Sequence, residues 1–477
     1  MIFSSEIFIF AFLPTVLFVY YILLRGRRNL QNHFLLVSSL FFYAWGEPWF
    51  VFVMIGSILG NWYFGLLVDR VRNHTFRTRL VITLMIVFNL IIIFIFKYLM
   101  FTLTNINLFF GSHISVPKII LPIGISFFTF QAISYVIDVY RKHGEVQKNP
   151  LNVGLYISLF PQLIAGPIVR YETVADQIHN RKENFNDFSS GVCRFIVGVI
   201  KKVLLANTLA IVADKAFSMP SHELSTTFAW LGVVAYSFQI YYDFSGYSDM
   251  AIGLGKMFGF HFLENFDHPY SARSVSEFWR KWHMSLSSWF RDYVFIPLGG
   301  SRVRTKTRLV FNLFVVWFLT GVWHGANWTF ICWGLFYFML LVMEKLTGFD
   351  NRIKKNLPTS LLWRAGRHVY VILTFLFGWV LFRANDLTHA MDYFRSMFAL
   401  AANPLHDGLA HLYFVENCWF FLFAAVFSLP VAKYFSQRWS NNTLVSHCYP
   451  IVLMLLFLIC VSYMVKGSYN PFIYFNF

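Results

Sequence analysis

Charge is what this sequence has least of. Only 13% of its 477 residues are Asp, Glu, Lys or Arg, against 57% hydrophobic residues, and a soluble core of that composition would leave too little polar surface to cover itself. Acidic residues are the scarcer sign, 23 against 39 Lys and Arg. The excess of +16 would suit a polyanion, but the basic residues fall in short runs between apolar segments. That argues against a nucleic-acid-binding face and for the cytoplasmic loops of a membrane protein.

Other absences narrow the chemistry. The five cysteines, Cys193, Cys332, Cys418, Cys448 and Cys460, are scattered, with no CxxC pair and no histidine at zinc-ligand spacing, so no metal site is expected. They read as small apolar residues in or beside helices. No Gly-rich phosphate loop and no serine-centred elbow occurs, so a covalent serine mechanism is not expected. The start, MIFSSEIFIFAFLP, has no basic n-region and no small-residue cleavage site, and is read as a retained first helix rather than a signal peptide.

What remains is a series of long apolar runs. Residues 7–24 are long enough to cross ~30 Å of hydrocarbon, and RGRR follows at 25–28. Residues 34–45 and 50–68 then form a hairpin whose tip has no basic residue, ahead of the strongly basic 69–79. Residues 80–100, 119–139, 191–212, 228–244, 369–382, 419–434 and 451–464 continue the alternation. The fold expected is an all-α polytopic membrane protein with about ten crossings plus two or three broken or re-entrant helices, both termini lying outside the cytoplasm. Residues 151–168, with Pro161, Gly166 and Pro167, are such a broken segment, because irregular backbone is not tolerated facing lipid. No internal repeat, low-complexity stretch or separate soluble domain interrupts residues 1–477. One membrane-embedded domain is expected, with its core at about 120–345 and C-terminal helices and tail at 369–477.

The chemistry concentrates in residues 278–325. The stretch opens with FWRKWHMSLSSWFRDYVFIPLGG (278–300), passes the basic turn SRVRTKTR, and closes with LTGVWHGANW (319–328). His324 lies inside the apolar run 309–343, whereas His283 heads a segment too polar to face lipid. An ionisable residue at membrane depth is costly and marks a site by default; the competing reading for His324 is a buried histidine hydrogen-bonded across helices. The same two readings apply to Gln131, Ser126, Ser134 and Asp138. Asp243, Ser245, Tyr247, Ser248 and Asp249 follow another apolar helix. Asp243 and Asp249 pair with nearby arginines, lie simply at the cytoplasmic interface, or contact substrate directly.

The ordered set Trp279, Arg280, Trp282, His283, then Arg291, Asp292, Gly299-Gly300, then Trp323-His324-Gly325-Ala326-Asn327 resembles the membrane-bound O-acyltransferases. The branch it resembles contains the bacterial alginate and peptidoglycan O-acetyltransferases and the teichoic-acid D-alanyl transferase, and the likeness runs nearly end to end. It implies a ring of helices around a passage, with His324 as the catalytic histidine near its narrow point and His283 as a secondary site residue. It implies no bound cofactor but an acyl thioester substrate, acetyl-CoA or an acyl carrier, on the cytoplasmic side. It further implies a bacterial inner membrane, a cell-envelope polysaccharide as final acceptor, and a periplasmic esterase-like O-acetyltransferase partner. The ending NPFIYFNF (470–477) is similar to an aromatic C-terminal motif of the family, which makes Tyr474 a candidate acyl relay. The alternative for Tyr474 is an aromatic anchor at the lipid interface.

Acyl transfer from a thioester to a hydroxyl needs a base for the hydroxyl proton and a positioned environment for the oxyanion. Neutral imidazole, with an unperturbed pKa of ~6.5, suits the first role, and Gly321 and Gly325 allow close approach to His324. Asn327 orients either the imidazole or the acyl carbonyl. Arg280, Lys281 and Arg291 suit the phosphates of an anionic donor, or merely follow cytoplasmic topology. Trp279, Trp282, Ser285, Asp292 and Trp323 are further candidates to line the passage. Two other classes stand beside this reading. A proton-relaying transporter would show inverted repeats or paired broken helices, and neither is found; a non-catalytic scaffold of an export complex is the other.

Overall fold

A computed structural model describes residues 1–349, 360–439, 442–467 and 469–471, without the side chains of residues 436 and 446. Every regular element among the described residues is helical. Eight helices are long and apolar enough to cross a membrane: Phe50–Val71, Thr75–Phe110, Phe185–Ser218, Lys306–His324, Trp328–Thr347, Leu361–Arg383, Gly408–Ser428 and Thr443–Lys466, with a shorter apolar helix at Phe8–Leu23. Of two further segments read as crossings, 119–139 is helical only from Ile125, in helix Ile125–Arg141, and 228–244 falls within helix Thr226–Met257. The first of these helices is buried over nearly its whole length.

The chain forms two compact units, residues 1–196 with 247–263, and residues 197–246 with 264–477. In the first unit, buried amides tie neighbouring helices together. Asn89 donates to the Asn61 side chain at 2.8 Å and accepts in return at 3.1 Å, a pairing suited to an apolar surround. The expected broken segment is also here. Helix Pro150–Ser158, capped by Asn149, gives way to non-helical residues 159–170, all of them buried. Their backbone finds protein partners instead of lipid: Phe160 N–H donates to the Ser39 hydroxyl at 3.0 Å, and the Val169 carbonyl accepts from the Tyr156 hydroxyl at 2.9 Å.

The second unit is built on a helical hairpin. The Thr305 hydroxyl caps Lys306–His324 by accepting from Arg308 N–H at 3.2 Å. Gly325 then turns extended, and the Asn327 side chain caps Trp328–Thr347 by accepting from Thr329 N–H at 3.1 Å. The two helices cross where glycine faces glycine. A Cβ on Gly321 would lie 2.6 Å from the Phe330 carbonyl oxygen, and one on Gly334 would lie 2.5 Å from that of Trp317. Leu361–Arg383 packs against Trp328–Thr347, where Gly378 leaves room for the Tyr337 hydroxyl. Small residues at such crossings let helix backbones approach closely in the absence of a water-driven force.

Candidate active site

His283 is placed by two short helices and a strained link. Val275–Lys281 starts at Ser274, whose hydroxyl accepts from Glu277 N–H at 3.0 Å, while the Glu277 carboxylate accepts from Arg273 N–H at 2.9 Å. This is close to a capping box. The helix ends at Trp282, and His283 adopts a left-handed conformation, φ +44°, before Met284–Phe290 begins. A non-glycine residue there carries strain of order 1–3 kcal/mol and persists only where its surroundings fix it. Asn265 is what fixes it: its carbonyl accepts from Met284 N–H at 2.9 Å, and its amide oxygen lies 3.1 Å from His283 Nδ1. His283 is buried and lies outside the eight membrane spans; burial pushes its imidazole well below the ordinary value.

His324 ends the first helix of the hairpin and is enclosed by aromatic rings. The centroids of Trp323, Trp333 and Phe382 lie 4.9, 4.9 and 5.0 Å from its own. Gly325 must be small, since a Cβ would fall 2.3 Å from the Phe330 ring. Trp323 touches both imidazoles, its centroid being 6.1 Å from that of His283.

Both histidines open onto one cavity of about 290 Å³, which Trp279, Arg280, Trp282, Arg291, Trp317 and Lys345 also line. The histidines and tryptophans are buried and the three cations exposed, so the aromatic residues form the inner wall and the cations the mouth. Lys281, expected beside Arg280, points elsewhere, with its ammonium 3.0 Å from Glu277 and 3.1 Å from the Ser271 hydroxyl. Lys345 takes its place; it lies at the end of an apolar helix in a run that reads as an ordinary basic loop.

The other candidates do not line the cavity. The Ser285 hydroxyl donates to the Asn265 amide oxygen at 2.8 Å and supports His283 from behind. Asp292 holds Arg291 through two contacts, at 2.7 and 3.0 Å. Asn327 donates to the Asn385 carbonyl at 2.7 Å in addition to its capping bond. Asp243 pairs with Lys202 at 2.7 Å, both side chains being only 2% exposed; the partner is a lysine, where arginine had been the expectation. Asp249 belongs to the first unit and pairs there with Arg194 at 2.9 Å. Tyr474 lies outside the described residues. Among the described residues, one group of metal-ligating type, Asp138, His143 and Glu172, brings its ligand atoms within 4.8 Å of one another in the first unit. The Glu172 carboxylate is already engaged by Arg170 at 3.1 Å and His143 at 3.0 Å, and a guanidinium at that distance disfavours a cation.

The sequence pattern described as MBOAT, membrane-bound O-acyltransferase family, matches residues 141–382. The chain is 39% identical to the probable alginate O-acetylase AlgI of Pseudomonas putida, over 100% of both chains. It is 36% identical to the peptidoglycan O-acetyltransferase of Helicobacter pylori, over 84% of this chain and 80% of that one. Similarity extends to the teichoic acid D-alanyltransferase of Bacillus subtilis, at 29% identity over 56% of this chain and 70% of the other.

Proposed function

Because the chain belongs to the membrane-bound O-acyltransferase family, we propose that it moves an acetyl group from a cytoplasmic thioester, on coenzyme A or an acyl carrier, toward a cell-envelope polysaccharide. The observation that carries this reading is the shared cavity: two buried histidines on an aromatic wall behind a mouth of Arg280, Arg291 and Lys345. The cations bind the donor's phosphates. The thioester lies among the rings. His324 takes the proton of an attacking hydroxyl, the C–O bond forms as the C–S bond breaks, and the departing thiolate takes up a proton. His283, held by Asn265, acts beside it.

In the same reading Tyr474 is the first hydroxyl to be acylated, its aryl ester being reactive enough to pass the acetyl on outside. A periplasmic esterase-like partner completes transfer to the polymer. The bacterial relatives support an inner membrane, the alternation of basic and non-basic loops supports both termini lying outside, and residues 1–477 act as one catalytic domain with its core at about 120–345. The names of the relatives favour alginate or peptidoglycan as acceptor.

The test is acetyl transfer from labelled acetyl-CoA in membranes carrying the full chain. His324→Ala should reduce it by ~10²- to 10⁴-fold, the usual contribution of a general base, at normal membrane abundance. Retention of more than about a tenth of the rate would exclude His324 as the base.

A further inference from the structure

The last described residues of the chain turn back along a membrane-spanning helix. After Thr443–Lys466, the Tyr469 hydroxyl donates to the Asp214 carboxylate, the Asn470 amide oxygen accepts from Asn207 at 3.3 Å, and the Pro471 carbonyl accepts from the Lys202 ammonium. Contacts that advance from 469 to 471 thus retreat from 214 through 207 to 202. All three core partners lie on Phe185–Ser218, one of the eight spans. At a rise of 1.5 Å per residue, the distance from 214 to 202 is ~18 Å along the helix. The segment therefore runs inward along the helix rather than out into solvent.

A membrane anchor would need none of this polar machinery. Lys202 and Asp243 are both buried and pair with each other, which offsets the cost of two charges at membrane depth. The same ammonium also holds the tail. At the other end, Asp214 pairs with Arg383 at 2.8 Å. The ion-pair partner at each end of this track is the chain neighbour of a ring that touches a site histidine. Arg383 follows Phe382, 5.0 Å from His324, and Asp243 precedes Phe244, 4.5 Å from His283.

We infer that Lys202, Asn207 and Asp214 form a docking track for the chain's own C-terminal segment. Lys202 and Asp214 are then positioning residues that hold this segment beside both histidines. The docking rests on these contacts alone; its consequence for rate rests on the acyltransferase reading above.

The experiment uses the full chain in membranes. A disulfide between Asn207→Cys and Asn470→Cys, identified from the joined peptides, should form under mild oxidation. Its yield should fall roughly tenfold when Lys202→Met or Asp214→Ala is added, and return with Lys202→Arg, which keeps a cation for Asp243 and a donor for the tail. Tyr469→Phe/Asn470→Ala, which leaves every core side chain in place, should lower acetyl transfer roughly tenfold to a hundredfold, the range that loss of positioning gives, at unchanged abundance. Absence of the disulfide, or a yield indifferent to both core variants, overturns the track. A wild-type rate in the tail variant overturns the positioning role. If Lys202→Met fails to accumulate, Asp214→Ala and the tail variant decide. A disulfide formed in full by a chain that transfers no acetyl would remove the acyltransferase reading and leave the docking established.

Discussion

The Nδ1 atom of His283 lies 3.1 Å from the amide oxygen of Asn265, a residue 18 positions earlier in the chain. That oxygen also receives the Ser285 hydroxyl at 2.8 Å and the Ser285 N–H at 3.3 Å. An atom that accepts from a backbone N–H is the amide's oxygen and not its nitrogen. The proton of neutral His283 therefore sits on Nδ1, and Nε2 is the acceptor nitrogen. A single buried amide thus sets the tautomer of one histidine of the site and braces a backbone turn that would otherwise relax.

Replacing Asn265 should consequently act on chemistry as well as stability. Asn265→Ala removes the acceptor and strands buried donors, at a cost of ~1–3 kcal/mol, and should lower acetyl transfer about tenfold. Asn265→Asp keeps the acceptor and places an anion beside the ring. Burial holds the His283 imidazole at about 3 in the native protein, so its neutral form persists as pH falls through the range usable for assay. A carboxylate at 265 favours the imidazolium and raises that value. The pH profile of Asn265→Asp should therefore lose activity on its acid side at a higher pH than the wild type, as steady-state rates across that range would show. Identical acid limbs in the two proteins would exclude His283 from the rate-determining chemistry.

The crossing of the hairpin gives a second prediction. A methyl on Gly334 meets the Trp317 carbonyl at 2.5 Å and the Gly321 Cα at 3.1 Å, backbone atoms with no rotamer to yield. Gly334→Ala should push the two helices apart, costing ~1–3 kcal/mol, and displace His324 from the cavity it shares with His283. Gly366→Ala, in the Leu361–Arg383 helix with nothing within 4 Å of its added methyl, is the control. It should be neutral or slightly stabilising. Thermal denaturation in detergent, read beside acetyl transfer, separates them: the first variant loses both and the second neither.

The residues that were legible in the sequence are those whose environment is local. Pro161, Gly166 and Pro167 within a short apolar run foretell the irregular, fully buried stretch 159–170, because lipid offers its backbone no partner. His324 is conspicuous because an imidazole in an apolar run has no bland solvent role. What could not be read is long-range pairing. Lys202 is the partner of Asp243 across 41 positions and Asn265 that of His283 across 18, and no periodicity connects either pair. Lys281 and Lys345 show the same limit from the other side. Both are lysines in basic runs, and only the direction in which each helix faces decides that Lys345 reaches the cavity while Lys281 is taken by Glu277.

Glu344, the neighbour of Lys345, is hidden in the sequence by the same kind of long-range pairing. It is 1% exposed, yet its carboxylate accepts from Val275 N–H at 2.7 Å, from Ser276 N–H at 2.9 Å and from the Ser276 hydroxyl at 2.7 Å. It therefore fastens the start of Val275–Lys281, the helix that brings Trp279 and Arg280 to the cavity, to the end of Trp328–Thr347. Bonds to a carboxylate are stronger than neutral ones, and a carboxylate suits the positive end of a helix. Glu344→Gln keeps one acceptor but turns an amide N–H toward a backbone N–H, so it should cost ~1–3 kcal/mol. Glu344→Ala removes every acceptor and should cost more. Because Trp279 and Arg280 shift with the helix, both variants should raise the KM for the thioester donor, with Glu344→Ala the more affected. His324 is anchored on the other helix of the hairpin, so kcat should fall less than kcat/KM. A fall in kcat at unchanged KM would mean that Glu344 acts on His324 rather than on the donor-facing helix.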